Sequence, residues 1–270
     1  MLNISNRVRR FHELHQSGCF LIPNPWDAGS ARLLARLGFP ALATTSAGFA
    51  WSVGRRDNAV TLDQALAHMR AISASVDLPV NADFEGGFAV EPAGVAANVA
   101  AATDTGIAGL SIEDSSGDPS NPLFDFELSV ERIRAARRAI DESGTGVLLV
   151  GRSEGFVVGR PDLHETIRRL IAYAEAGADC LYAPRIRTRD EISAVVRAVA
   201  PKPVNVLAGA EVTTVADFAA LGVRRISVGG TLARVALTGF LEAANEIATQ
   251  GTFTRLTRAV PFDEINGAFS

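Results

Sequence analysis

Lysine, cysteine and histidine are nearly missing from this chain of 270 residues. Lys202 is the single lysine among 26 Lys and Arg residues, the cysteines are Cys19 and Cys180, and the 4 histidines are His12, His15, His68 and His164. Two distant cysteines exclude a disulfide framework and a thiolate zinc site. No run approaches the roughly 18 consecutive apolar residues of a membrane-crossing helix. The N-terminus, MLNISNRVRRFHELHQ, has no apolar signal core, so a cytoplasmic location and no membrane partner are expected. A net charge of −4 gives no electrostatic reason to expect a nucleic-acid partner. The chemistry that remains belongs to carboxylates, arginines and a bound metal.

What the chain has is a regular alternation. Short β-rich runs lie at 19–24, 41–46, 79–84, 109–114, 146–152, 180–185, 203–208 and 225–230. Between them are helical patterns at 27–37, 61–76, 90–103, 130–143, 162–176, 189–199 and 215–221, and 231–249 reads as an eighth helix. Gly or Pro punctuates many strand starts, as at Pro79, Gly109, Gly177 and Pro203. Eight strand–helix units without a dividing linker predict one domain over residues 1–270, an α/β protein of the (β/α)8 TIM-barrel class. A doubly wound sheet would carry a glycine-rich phosphate turn after its first strand, and NPWDAGS is not one.

Polar residues gather at the carboxyl ends of these strands, where such barrels do chemistry. Asn24, Ser46, Asp83, Glu85, Glu113, Asp114, Arg152, Glu154, Arg185 and Asn205 all fall there or close by. The scarce residues do not. Lys202, Cys19 and Cys180 sit at strand starts, and the histidines lie before the first strand or within helices, which argues against a lysine Schiff base and a histidine-ligated metal. Asp57, Asp83, Glu85 and Glu113 would repel one another unless compensated. A hard divalent cation such as Mg2+, with water in its coordination sphere, removes that conflict, and so would a carboxylate–arginine network through Arg152 and Arg55. Metal and arginine together suit a small carboxylate substrate, gripped by Arg152 and polarised by the cation.

The segments TTSAGFA (44–50), GRRD (54–57), NADFEGGF (81–88), IEDSSGDP (112–119), GRSEGF (151–156) and SVGGTLAR (227–234) resemble, in order and spacing, the isocitrate lyase/phosphoenolpyruvate mutase superfamily. The resemblance covers roughly residues 10–240. It implies a barrel that binds Mg2+, with Mn2+ as a substitute, and an α-oxo acid, often stabilising a pyruvate-like enolate. By position, Asp83 resembles the direct metal contact, and Asp57, Glu85 and Glu113 those that hold the metal through water. Ser46, Ala47 and Gly48 resemble the carboxylate-binding turn, and Arg152 and Asn205 resemble substrate contacts. Asp57 and Glu113, with Arg152, are then the catalytic candidates.

The loop after the fourth strand departs from the family lyases. DSSGDPSNPLFDFE (114–127) lacks their Lys-Lys/Arg-Cys-Gly-His stretch, and its Gly, Pro and Ser content suits a mobile lid. Asn121 falls where phosphonate-processing members place an Asn, but Pro119 replaces their Lys and Pro184 their His. After Asn205 the chain reads NVLAGAE, mostly apolar, which suggests a smaller acid than a tricarboxylate. The leading expectation is a Mg2+-dependent carbon–carbon lyase or decarboxylase that works through a metal-stabilised enolate on an oxaloacetate- or methylisocitrate-like substrate. The alternatives are a P–C bond mutase or hydrolase and a non-catalytic α-oxo acid binding protein. Residues 252–270 form an amphipathic tail. Family members exchange such a tail between subunits, so a homo-oligomer, dimer or tetramer, is expected.

Overall fold

The computed structural model describes residues 4–209 and 211–269. Its parallel strands are β1 (Phe20–Ile22), β2 (Leu42–Ala43), β3 (Val80–Asp83), β4 (Gly109–Glu113), β5 (Leu148–Arg152), β6 (Cys180–Tyr182), β7 (Val204–Leu207) and β8 (Arg225–Ser227). Helix α1 (Ile4–Gln16) precedes them, and α2 (Ala28–Arg36) follows β1. Two helices follow β2, α3 (Ser46–Ser52) and α4 (Leu62–Ser75). Each later strand leads into one helix: α5 (Pro92–Thr103), α6 (Phe126–Ser143), α7 (Leu163–Glu175), α8 (Arg189–Val199), α9 (Val215–Ala220) and α10 (Thr231–Gln250). This is the expected (β/α)8 barrel.

Local chemistry sets the helix starts. Asp27 with Ser30, Thr61 with Gln64 and Thr188 with Glu191 form reciprocal capping boxes that satisfy otherwise orphaned N–H groups. The strands place Ile22, Ala82, Leu110, Leu148, Val150 and Ile226 in one large buried apolar cluster, and Val80 with Ala31, Leu42 and Ile72 in a second, smaller one. The ladder runs β1-β8-β7-β6-β5-β4-β3-β2. Between β1 and β2 the barrel is joined by Ala43 N–H donating to Pro23 O at 3.0 Å and by the Asn24 amide donating to Thr44 O at 2.9 Å. Asn24 Oδ1 also accepts the N–H groups of Val228 and Gly229 at 2.9 and 2.8 Å. One side chain therefore ties β8, β1 and β2 together at the mouth.

Three features differ from the sequence-based expectations. Helix α1 was not expected; it buries Arg7, Val8, Phe11 and His15 and plugs the amino end of the barrel. Phe11 lies so close to β4 that a Cβ on Gly109 would stand 2.6 Å from its ring, so only glycine fits there. Ser46 does not end a strand. Thr45 closes the extended run and accepts Gly48 N–H at 3.3 Å as the cap of α3, which makes Ser46 the first helical residue. Finally, every strand except β5 stops short of its predicted end, because the chain turns out of the ladder on reaching the polar mouth residues.

Beyond α10, a short 3-10 helix (Thr254–Arg258) and α11 (Phe262–Gly267) form the C-terminal tail. Glu246 fixes the turn into it, accepting hydrogen bonds from the Thr252 hydroxyl at 2.6 Å and from the N–H groups of Thr254 and Arg255 at 2.9 Å. The end of the tail returns to the same chain's α2, where Arg32 and Arg36 donate to Phe269 O and Gly267 O at 2.8 and 2.7 Å. Val235, Phe240, Leu241, Phe253 and Phe262 remain exposed along α10 and the tail. None of the described helices is long and apolar enough to cross a membrane.

Candidate active site

In a barrel strand alternate residues face inward, and here those positions are polar near the carboxyl end. β3 supplies Asn81 and Asp83, β4 Ser111, β5 Arg152, β7 Asn205 and β8 Arg225 and Ser227; all line a cavity of about 200 Å³ at the mouth. Ser46, Ala47 and Asp57 line the same cavity from the β2–α4 segment. Glu85 and Glu113 face a second hollow of about 300 Å³ that is bordered by Ser115, Ser116 and Gly117 of the lid loop.

Arg152 organises the carboxylates. Its Nη1 lies 3.1 Å from Asp83 Oδ1 and 3.2 Å from Glu113 Oε2, and its Nε donates to Glu154. Its guanidinium also stands 5.3 Å from the centre of the Tyr182 ring. The second oxygen of Asp83 accepts from Ser46 N–H at 2.9 Å and the Ser46 hydroxyl at 2.8 Å, while Asp83 N–H donates to the Thr44 hydroxyl at 2.8 Å. The arginine network weighed from sequence is therefore formed by Arg152. Arg55 stays outside it, exposed and donating to Ala59 O.

One guanidinium does not neutralise this cluster. Burial pushes the Glu113 carboxyl well above its ordinary range, against the pull of Arg152 and with the repulsion of Glu154 and Asp83. Burial, then the charges of Asp83 and Asp57, raise Glu85 to about 8. Asp57, on the exposed rim, is raised by desolvation and by Asp83. Glu85 Oε1 is buried with no hydrogen-bond partner. An all-oxygen donor set with surplus negative charge and an orphaned carboxylate oxygen fits a hard divalent cation. Among the described residues no three acidic, His or Cys side chains form a ready metal cage.

The backbone is strained around this cluster. Asn58, Glu85, Phe88 and Arg185 have φ of 60°, 48°, 54° and 69°, the left-handed region that non-glycine residues avoid. All four border the mouth or the adjoining hollow, as strain at a functional site would.

Two expected site residues stand apart. Gly48 does not line the mouth cavity; it packs against Trp26, and a Cβ there would meet Thr45 at 2.7 Å. Asn121 is exposed near the tip of the lid loop, its N–H donating to Asp118 O at 3.2 Å. That loop is a folded hairpin: Ser115 bridges to Leu123, and Ser116 N–H donates to Pro122 O at 3.0 Å. Its base is anchored by Asp114, which accepts from Glu154 N–H at 2.7 Å, Arg169 at 3.1 Å and the Tyr173 hydroxyl at 2.7 Å. Sequence reasoning did not single out Asn81, Ser111, Tyr182, Arg225 and Ser227. The signal was available: polar residues two apart inside otherwise apolar strands, as in Asn81–Asp83, Ser111–Glu113 and Arg225–Ser227.

Residues 11–248 match the Phosphoenolpyruvate phosphomutase family. An uncharacterized protein of Mycobacterium tuberculosis (strain H37Rv) is 33% identical, with 94% of each chain covered. An oxaloacetate decarboxylase of Bradyrhizobium diazoefficiens is 30% identical over 98% of this chain and 90% of its own. Among solved structures, a lyase/mutase candidate from Burkholderia cenocepacia J2315 superposes with a TM-score of 0.95 at 48% identity, covering 99% of this chain and 96% of that one. A 2,3-dimethylmalate lyase gives 0.86 at 27% identity, with coverage of 99% and 95%. A phosphonopyruvate hydrolase in complex with oxalate and Mg2+ gives 0.84 at 26%, with coverage of 97% and 95%. The barrel, the carboxylate–arginine mouth and these matches agree: the chain belongs to the phosphoenolpyruvate phosphomutase family and is an enzyme of the isocitrate lyase/phosphoenolpyruvate mutase superfamily.

Proposed function

We propose that the protein is a Mg2+-dependent lyase that breaks a carbon–carbon bond in a small α-oxo acid or its 2-hydroxy adduct, with oxaloacetate decarboxylation as the leading case. The observation that carries this reading is the surplus of carboxylates around Arg152, with Glu85 Oε1 left unpaired beside them. Asp83 would hold the cation directly, and Glu85, Glu113 and Asp57 through water. The cation would draw electron density from the oxo group of the substrate.

The chain's own residues do the rest. Arg152, fixed by three carboxylates through Nε and Nη1, would present its Nη2 edge to the substrate carboxylate. The Ser46 N–H is already given to Asp83, so the turn offers the Ala47 N–H, and Asn205 offers an amide N–H. Glu113 and Asp57, both raised above the ordinary carboxylate range by burial, are placed to hold or deliver the proton that the product carbon requires. Decarboxylation needs an electron sink more than a dedicated acid, so it tolerates a lid without Lys, Cys or His. Oxaloacetate decarboxylases among the relatives support this reading. Phosphonate chemistry is the second reading, supported by the phosphonopyruvate hydrolase likeness; Asn121, exposed on the lid, contributes nothing to it in this conformation.

Incubation with Mg2+ and oxaloacetate, methylisocitrate or phosphonopyruvate, followed by proton and phosphorus NMR, tests the assignment. Turnover of a C–C substrate is expected. Inorganic phosphate from phosphonopyruvate, with no C–C turnover, would replace it with the second reading.

The exposed apolar residues of α10 and the tail would pack on a second copy of the chain, giving a dimer or tetramer. Because the end of the tail is tied to its own α2, the face shared between copies would be α10 together with the 3-10 helix. Size exclusion of the full chain and of a chain ending at residue 251 should show a smaller assembly for the second. An unchanged assembly would remove the tail from the interface.

A further inference from the structure

Beside the mouth cavity, and sharing Ala47, Asp57, Arg185, Leu207, Gly229 and Gly230 with it, lies a cleft of about 660 Å³. Three arginines line it: Arg185 and Arg187 from the β6–α8 loop and Arg234 from the first turn of α10. Among the described residues, none of the three guanidinium groups forms a salt bridge or donates a hydrogen bond, although the Arg187 charge is felt by Glu191, whereas Arg152, Arg169 and Arg189 are all held by carboxylates. The acidic residue lining the cleft is Asp57, on its border with the mouth. Arg185 is also one of the left-handed residues, with φ of 69°. That conformation costs an L residue on the order of 1–2 kcal/mol, here between Pro184 and the buried Ile186, and it leaves the side chain on the wall shared by the two cavities.

From this geometry we infer that Arg185, Arg187 and Arg234 form a second anion subsite that receives a distal carboxylate of the substrate, so that the enzyme prefers dicarboxylic oxo acids to monocarboxylic ones. The inference rests on the mouth being the α-oxo acid site and names the class of acid that fills both cavities. The stretch after Asn205 pointed to a smaller acid because its side chains are apolar. The positive charge comes instead from the β6–α8 loop and α10, which that stretch cannot report. Free guanidinium groups beside a continuous cleft meet a carboxylate with charge-assisted hydrogen bonds, and an exposed approach lets their field draw the anion in.

Calorimetric binding of 2-oxoglutarate and of pyruvate, with Mg2+ in the buffer, reads this directly. The unaltered protein should bind 2-oxoglutarate at least about tenfold more tightly than pyruvate. Arg185→Gly removes the guanidinium and suits the left-handed backbone, and Arg234→Gln alters an exposed position, so both variants should fold. Each should weaken 2-oxoglutarate by about tenfold while pyruvate changes less than about twofold. Equal losses for both acids, no preference in the unaltered protein, or no binding of either acid would overturn the subsite. Tighter binding of phosphonopyruvate than of 2-oxoglutarate would overturn its assignment to a carboxylate. Because the readout is binding, the preference for 2-oxoglutarate can stand where oxaloacetate is not turned over, and it can fail where turnover is intact.

Discussion

Arg225 Nε donates to Asn205 Oδ1 at 2.8 Å beneath the mouth of the barrel. A guanidinium accepts no hydrogen bond, so this contact fixes the amide: its oxygen faces Arg225 and its nitrogen faces the Ser227 hydroxyl, 3.0 Å away. The remaining amide N–H of Asn205 is left for a ligand acceptor. The other partners of Arg225 are Asn81 Oδ1 at 3.3 Å and His15 Nε2 at 3.4 Å, so its buried charge is held by neutral groups.

Arg225→Met should therefore free the Asn205 amide to turn and remove a fixed positive charge from under the substrate. KM for the oxo acid should rise by about tenfold with a smaller change in kcat. Arg225→Lys, which keeps the charge and loses the fork, should fall between. An unchanged KM in the Met variant would show that Arg225 only packs the barrel.

His15 gives stability a pH dependence. It donates from Nδ1 to Phe11 O at 2.7 Å and presents Nε2 to Arg225, which requires the neutral ring. Burial first, then the charge of Arg225, lower its pKa from 6.5 to about 3; His12 and Arg224 also face it. The unfolded chain takes up this proton near pH 6.5 and the folded chain only near pH 3. The contribution is complete above about pH 6.5 and is lost as pH falls toward 3, at about 1.4 kcal/mol per pH unit. Urea unfolding of the protein and of His15→Leu across this window should differ by that slope. Parallel profiles would contradict it.

Asp114 is the anchor of the lid. It is 2% exposed and accepts from Arg169, Tyr173 and Glu154 N–H, while Arg169 reaches on to Phe124 O at 3.0 Å where the lid returns. Asp114→Asn leaves the buried Arg169 charge with Glu165 alone and should cost about 3 kcal/mol in chemical denaturation. Hydrogen exchange in residues 115–124 should rise more than in α7. A uniform rise would mean that the lid has no anchor of its own.

Much of this was legible in the sequence, for physical reasons that can be named. The barrel follows from buried parallel strands reading as apolar runs with Gly or Pro at their starts. Asp83 and Arg152 were legible because a charge at the end of such a run has no structural reason to be there. Helix α1 was not: its buried residues include Arg7 and His15, which read as surface. Ser46 was misplaced because the cap that starts α3 is a Thr, a residue equally at home in a strand. Arg225 was hidden in the run RRISVGG, where only the closed barrel shows that one of two arginines points inward. Asn121 was placed by position in a loop, and the hairpin bonds of Ser116 and Pro122 carry it to the surface.

The proposed lyase depends on the carboxylates around Arg152 holding a divalent cation that serves an α-oxo acid. The most direct measurement is the rate of pyruvate release from oxaloacetate in Mg2+, corrected for the metal-catalysed background, for the protein and for Asp83→Ala. Turnover should be abolished by chelation and should fall by at least about a thousandfold in the variant. Equal rates in the two proteins, or turnover that survives chelation, would contradict it.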